Sequence, residues 1–125
     1  VASRRGRDGA GWDELTFAAV RARYVRLHGR ERGTARWSLW SAQVFDAPDL
    51  ARGKTTTASS QETSTLVASN ATDGDPSTRW ASGYTDSEWL AVDLDAQAPI
   101  RRVLLDWESA AGRDYDIQVS DDGTT

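Results

Sequence analysis

Asp73, Gly74, Asp75 and Pro76 form an acidic turn, and Thr78, Arg79, Trp80 and Tyr84 follow it within a few residues. A tight turn presents carboxylates and main-chain carbonyls together. That suits calcium, which takes about six to eight oxygens in flexible geometry. A cation-holding turn beside an exposed ring and an arginine equips a sugar-binding loop rather than a catalytic centre. An aromatic face covers the apolar C–H side of a pyranose, and charged groups bind hydroxyls more strongly than neutral ones do. The same run continues into a strand-like alternation at Trp89, Ala91, Val92 and Leu94.

The elements that must position these groups are strands. Period-two alternation marks Tyr24–His28, Leu90–Leu94, Arg102–Trp107 and Tyr115–Ser120. Turn signals stand at Asp8-Gly9, Gly29, Gly33, Asp73-Gly74, Gly112 and Asp122-Gly123. Short strands at this spacing predict an all-β sandwich or jelly roll. Only Thr65 to Asn70 suits a helix, as a single turn. The alternating patterns assign Trp80, Trp107, Trp40 and Trp89 to the core, leave Trp12 open to either role, and place Tyr84 in an exposed loop.

A chain of 125 residues with 38% hydrophobic and 27% charged residues has the size and make-up of one folded domain. No apolar run approaches the ~20 residues of a membrane span, and no signal peptide is visible. With no cysteine there is no disulfide framework, thiolate metal site or cysteine nucleophile. A net charge of -4 argues against nucleic acid as a partner. The arginines at 4, 5, 7, 21, 23, 26, 30, 32 and 36 read as a solvated sheet face.

The run from Asn70 to Asp95 resembles the A-x-DG-x-x-x-TRW … W-x-x-VDLG core of the discoidin, or coagulation factor 5/8 type C, superfamily. Within it, the chain is most similar to family 32 carbohydrate-binding modules of bacterial chitosanases and β-glucanases. Four further words carry that likeness: Ser60-Gln61-Glu62-Thr63, Thr78-Arg79-Trp80-Ala81-Ser82, Asp106-Trp107-Glu108 and Trp37-Ser38-Leu39-Trp40. Their order is circularly permuted. Residues 1–46, with Ala22 to Asp46 resembling the strand that closes such modules, precede residues 49–125, which resemble the opening half across Ala47-Pro48. The expectation is one complete permuted module, the alternative a segment cut across two tandem modules. Asp122-Gly123-Thr124-Thr125 would then run into Val1-Ala2-Ser3 as one connection, with the Val1 and Thr125 ends close together.

The resemblance implies a secreted bacterial module with no catalysis of its own, tethered to a glycoside hydrolase or to tandem modules, with no membrane insertion. Its loops would hold a single sugar or chain end through Trp37, Glu62, Arg79, Tyr84 and Glu108, and Arg79 would contact the sugar or salt-bridge Glu62 or Glu108. Two carboxylates suit an amino sugar, so chitosan or glucosamine oligosaccharides are the expected ligand. A β-1,3-glucan, a galactose-type glycan, or a cell-surface protein or lipid are the alternatives. A structural Ca2+ would take the Asp73 side chain, main-chain oxygens of Asn70 and Asp75, and the Thr78 hydroxyl. Ser41 stands where relatives often add a glutamate.

Two acids such as Glu62 and Glu108 are also the equipment of glycoside hydrolysis. The single histidine, His28, lies in a strand, and the chain is small for a substrate cleft. The absence of cysteine and the polar candidate loops favour sugar over lipid. Asn70-Ala71-Thr72 matches the N-glycosylation pattern inside what should be a folded turn.

Overall fold

The computed structural model describes residues 2–6, 9–33, 37–46, 49–108 and 110–123. Arg7, Asp8, Arg36, Ala47, Pro48 and both chain ends, Val1 and Thr124-Thr125, lie outside the described residues. The strands are β1 (Ala2–Arg4), β2 (Gly11–Arg32), β3 (Ser38–Phe45), β4 (Thr55–Ala58), β5 (Trp80–Ala81), β6 (Trp89–Trp107) and β7 (Gly112–Ser120). One 3-10 turn covers Ala68–Ala71, overlapping the turn expected at Thr65 to Asn70. The architecture is an all-β, discoidin-like sandwich built from antiparallel pairs, in the order β1-β7-β2-β6-β3-β5, with β4 also on β6.

Two long strands make the sandwich. Residues 11–16 of β2 pair with 102–107 of β6, whose other side carries β3. Residues 24–28 of β2 pair with 89–93 of β6 and with β7, and β4 covers the far side of β6. Between these blocks the register shifts at Thr16/Val20 and Ala22/Tyr24, and Asp95 takes φ 73°. Such irregularities bend a strand, so β2 and β6 each pass from one layer to the other. The inward faces are apolar: Leu15, Leu39, Val44, Val103, Leu105 and Trp107 from one layer, Val25, Leu27, Leu90, Val92, Tyr115 and Ile117 from the other.

All four strand segments read from the alternation lie inside β2, β6 and β7. Gly29 is not a turn: it sits within β2, and Gly112 opens β7. The expectation of short strands missed the continuity of β2 and β6, 22 and 19 residues long, because a bend made by register shifts needs no turn residues.

Trp80 and Trp107 are buried as expected, whereas Trp40 and Trp89 are only half-buried. Trp89 alternates with Leu90 and therefore faces outward, while Trp40 falls at the register shift between Leu39 and Ser41. The arginines lie largely on the outside in ion pairs: Arg5 and Arg30 on Asp116, Arg23 on Asp93, Arg4 on Asp13 and Arg32 on Asp86. That is a neutralised, solvated surface, not a phosphate-binding stripe. The first described strand pairs with the last, Ala2 opposite Ile117.

Candidate functional site

One end of the sandwich gathers the C-terminal ends of β4 and β6, the N-terminal ends of β3 and β7, and the loop before β6. At its centre lies a cluster of three rings. Trp37 meets Trp107 at 5.9 Å between centroids and Tyr115 at 6.5 Å edge-on, while Trp107 and Tyr115 are 5.3 Å apart. Trp37 is 1% exposed. It fits because two strand positions carry no side chain: a Cβ on Gly29 would stand 2.5 Å from its Cζ2, and one on Gly112 2.1 Å from its Cζ3. The indole N–H donates to the Thr85 carbonyl at 3.2 Å. The expectation that Trp37 stacks on a sugar is therefore corrected. Its ring is enclosed by two backbone segments and its ring partners, and its faces meet protein.

Above this floor stand the other four residues. Tyr84 is 56% exposed and its hydroxyl donates to Glu62 Oε1 at 3.3 Å. The Glu62 N–H donates to the Ala81 carbonyl at 2.7 Å, which holds the opening loop against β5. Arg79 Nη1 donates to Ser38 Oγ at 2.8 Å. The Ser38 carbonyl accepts from the Glu108 N–H at 3.1 Å, and Glu108 Oε1 accepts from the Ala110 N–H at 3.1 Å. Ser38, fully buried, thus ties Arg79 to the segment bearing Glu108. Residues separated by 46 positions, Glu62 to Glu108, meet at one end through β3 and β5. Chemically, the arrangement gathers one exposed ring, one guanidinium and two carboxylates at one end of the sandwich, with Glu62 Oε2 buried and Arg79 turned onto the buried Ser38.

Sequence reasoning missed Glu88. It is buried, and its carboxylate accepts from Ser59 Oγ at 2.5 Å, Ser60 Oγ at 2.7 Å and Thr85 Oγ1 at 2.8 Å. Burial alone would raise its pKa, but the three hydroxyl donors outweigh it and hold the group below its ordinary value. Its carbonyl accepts from the Gly29 N–H at 2.7 Å, and Ser60 Oγ also accepts from the Gly83 N–H at 2.8 Å. Glu88 therefore straps the loop carrying Tyr84 to the loop carrying Glu62. A lone acid before Trp89 has no periodicity to betray it. The only signal is the adjacent hydroxyls of Ser59 and Ser60, 29 and 28 residues away.

The acidic turn closes at Gly74, whose φ of 77° suits glycine. Four oxygens converge there. The Thr78 hydroxyl donates to Asp73 Oδ2 at 2.6 Å, and lies 3.1 Å from the Asp75 carbonyl and 3.4 Å from the Asn70 carbonyl. The Asp75 carboxylate is occupied with Ser77, whose hydroxyl and N–H lower its pKa. An all-oxygen set whose Asp73 carboxylate accepts the Asp75 N–H through Oδ1 and the Thr78 hydroxyl through Oδ2 fits a hard cation such as Ca2+, whereas Ser41, on β3 opposite Asp106, is not among these oxygens. The Asn70 amide donates to the Thr65 and Arg79 carbonyls, so the turn is coupled to the backbone of a site residue and the sequon amide is engaged in the fold.

The family model described as F5/8 type C domain matches residues 55–125, more than half of the chain. No curated protein sequence matches the chain significantly.

Proposed function

This chain belongs to the F5/8 type C domain family, and from that premise we propose that it is a carbohydrate-binding module whose loop end holds a single sugar or chain end. Members of the family commonly bind carbohydrates or lipids, are typically non-catalytic, and are usually extracellular. The observation that carries the sugar reading is Tyr84, an exposed ring whose hydroxyl rests on Glu62, with Arg79 and Glu108 organised through Ser38 beside it. Among the described residues only Trp12 and Tyr84 are large hydrophobics with high exposure, so no set of apolar loop tips is present to enter a lipid surface. None of the described helices is long and apolar enough to cross a membrane.

In this reading Tyr84 covers the C–H face of the ring while Glu62, Arg79 and Glu108 take its polar groups. Two acids at one spot favour an amine, so glucosamine oligosaccharides of the chitosan type are the preferred ligand, and the module targets an attached hydrolase. Titrating chito- and laminari-oligosaccharides side by side tests this. Chito-oligosaccharide binding should weaken as salt rises and as pH climbs past the amine's pKa. Equal or tighter binding of the neutral β-1,3-glucan would remove the chitosan assignment and leave the sugar module intact.

The proposed Ca2+ at Asn70, Asp73, Asp75 and Thr78 supplies charge that replaces the Thr78 hydroxyl as the common partner of the turn's oxygens. A ligand bound only by the folded state adds stability by mass action. The melting temperature should rise with millimolar calcium, fall with chelator, and become indifferent to both in Asp73→Asn. Indifference of the unaltered protein would remove the cation.

The permuted order is likewise proposed. Its supports are the pairing of β1 with β7 and a family match confined to residues 55–125. A rearranged chain running 49–125 and then 1–46 should melt in one transition near the temperature of the original. Failure to fold would favour two modules.

A further inference from the structure

The outer face of the layer formed by residues 11–16 of β2, 102–107 of β6, and β3 carries a second aromatic–acid pair at the same end of the sandwich. Leu105 and Trp107 are buried, so Asp106 between them points outward, with Trp12 opposite it on β2 and Ser41 on β3. Trp12 is 56% exposed. Other acids have assigned work: Asp13 on Arg4 and Tyr115, Asp93 on Arg23, Asp116 on Arg5 and Arg30, Glu14 on Arg102. Among the described residues nothing donates to or pairs with the Asp106 carboxylate, and burial alone acts on it, raising its pKa. A partly shielded carboxylate without a donor weakens the fold. A neighbouring indole left in solvent adds no packing.

Both features suit one occupant. A pyranose lays its C–H face on an indole and donates adjacent hydroxyls to a carboxylate. Directly opposed residues on neighbouring strands have side chains close enough to share such a ring. Asp106 also lies two positions before Glu108, roughly 7 Å along the strand, within reach of the next unit of a chain held at the loop end. The surrounding face mixes polar groups, the Glu14–Arg102 ion pair and Gln43, with the partly buried Leu104 and with Phe45, whose ring is covered by Arg102. We propose that Trp12 and Asp106 form a second sugar contact, taking a pyranose unit of an oligosaccharide whose end occupies the loop site. This rests on the sugar reading above and extends it from one unit to a longer chain.

The test compares glucosamine with the hexamer of β-1,4-linked glucosamine by calorimetric titration of the whole chain, Trp12→Ala and Asp106→Asn. The unaltered chain should bind the hexamer more tightly than the monomer. Each variant should weaken hexamer binding about five- to tenfold and leave monomer binding within about twofold, the scale of one ring or charged contact. Asp106→Asn should keep or raise the melting temperature, because it removes an unpaired charge; a residue with a purely structural role would lower it. Unchanged hexamer binding in both variants, or equal affinity of the unaltered chain for monomer and hexamer, overturns the second contact while the loop site stands. Concentration-dependent self-association lost in Trp12→Ala also overturns it, by assigning the face to a second copy. Absence of binding to either sugar removes both readings.

Discussion

Trp37→Ala is expected to destabilise the fold by about 3–5 kcal/mol, the usual cost of deleting a large buried ring. The ring fills the space between Gly29 and Gly112 and touches Trp107 and Tyr115. Neither glycine backbone can collapse into the void without breaking the β2–β7 pairing at Gly29–Tyr115 and Arg32–Gly112. The indole also holds the Thr85 carbonyl, so the Tyr84 loop should loosen. Chemical denaturation measures the stability loss. A sugar-stacking tryptophan at the surface would behave differently, with binding lost and stability nearly unchanged. That outcome would restore Trp37 to the sugar site.

Glu88→Ala should cost about 2–4 kcal/mol, since three hydroxyls lose a charged acceptor in a buried setting. Glu88→Gln keeps the shape and should cost less. The pH dependence has a definite sign. The folded-state pKa of Glu88 is lowered, so its contribution is present above the unfolded carboxylate value of about 4.3 and is lost as pH falls through the lower folded value. Asp116, shielded by burial but held down by Arg30 and Arg5, acts in the same direction; Asp106, raised by burial, acts in the opposite one. Acid denaturation of the unaltered chain should therefore set in below about pH 4, and Glu88→Gln should flatten that limb. An acid limb of unchanged steepness would mean Glu88 is not the strap between the two loops.

Strand positions were legible because Val25, Leu27, Leu90, Val92, Tyr115 and Ile117 alternate with polar residues and all face inward. The bends of β2 and β6 were not. A register shift such as Ala22/Tyr24 arises from two strands together and leaves no mark in either. Glu62 and Glu108 were legible as candidates only through the family likeness, since each alone is an ordinary surface acid, whereas Arg79 and Tyr84 stood out beside the acidic turn. Their common node, Ser38, is one serine among many. Trp37 was misassigned for a related reason: the space it fills belongs to Gly29 and Gly112, whose approach to it exists only in three dimensions. The acidic turn proposed to hold Ca2+ was the most legible as geometry, because Asn70, Asp73, Asp75 and Thr78 are close in sequence and a local turn suffices to bring their oxygens together.

The sugar-binding claim is tested most directly by titrating the unaltered chain and Tyr84→Ala with a β-1,4-linked glucosamine oligomer, with melting curves recorded on both. A shallow site with one ring and three polar groups should give a Kd on the order of 10 µM to 1 mM. Tyr84→Ala should weaken it about tenfold or more, the effect of one stacking ring, with the melting temperature nearly unchanged because the residue is 56% exposed and its hydroxyl's bond to Glu62 is long. Affinity that is absent, or identical in the variant, would contradict a sugar site at the Tyr84 end of the sandwich.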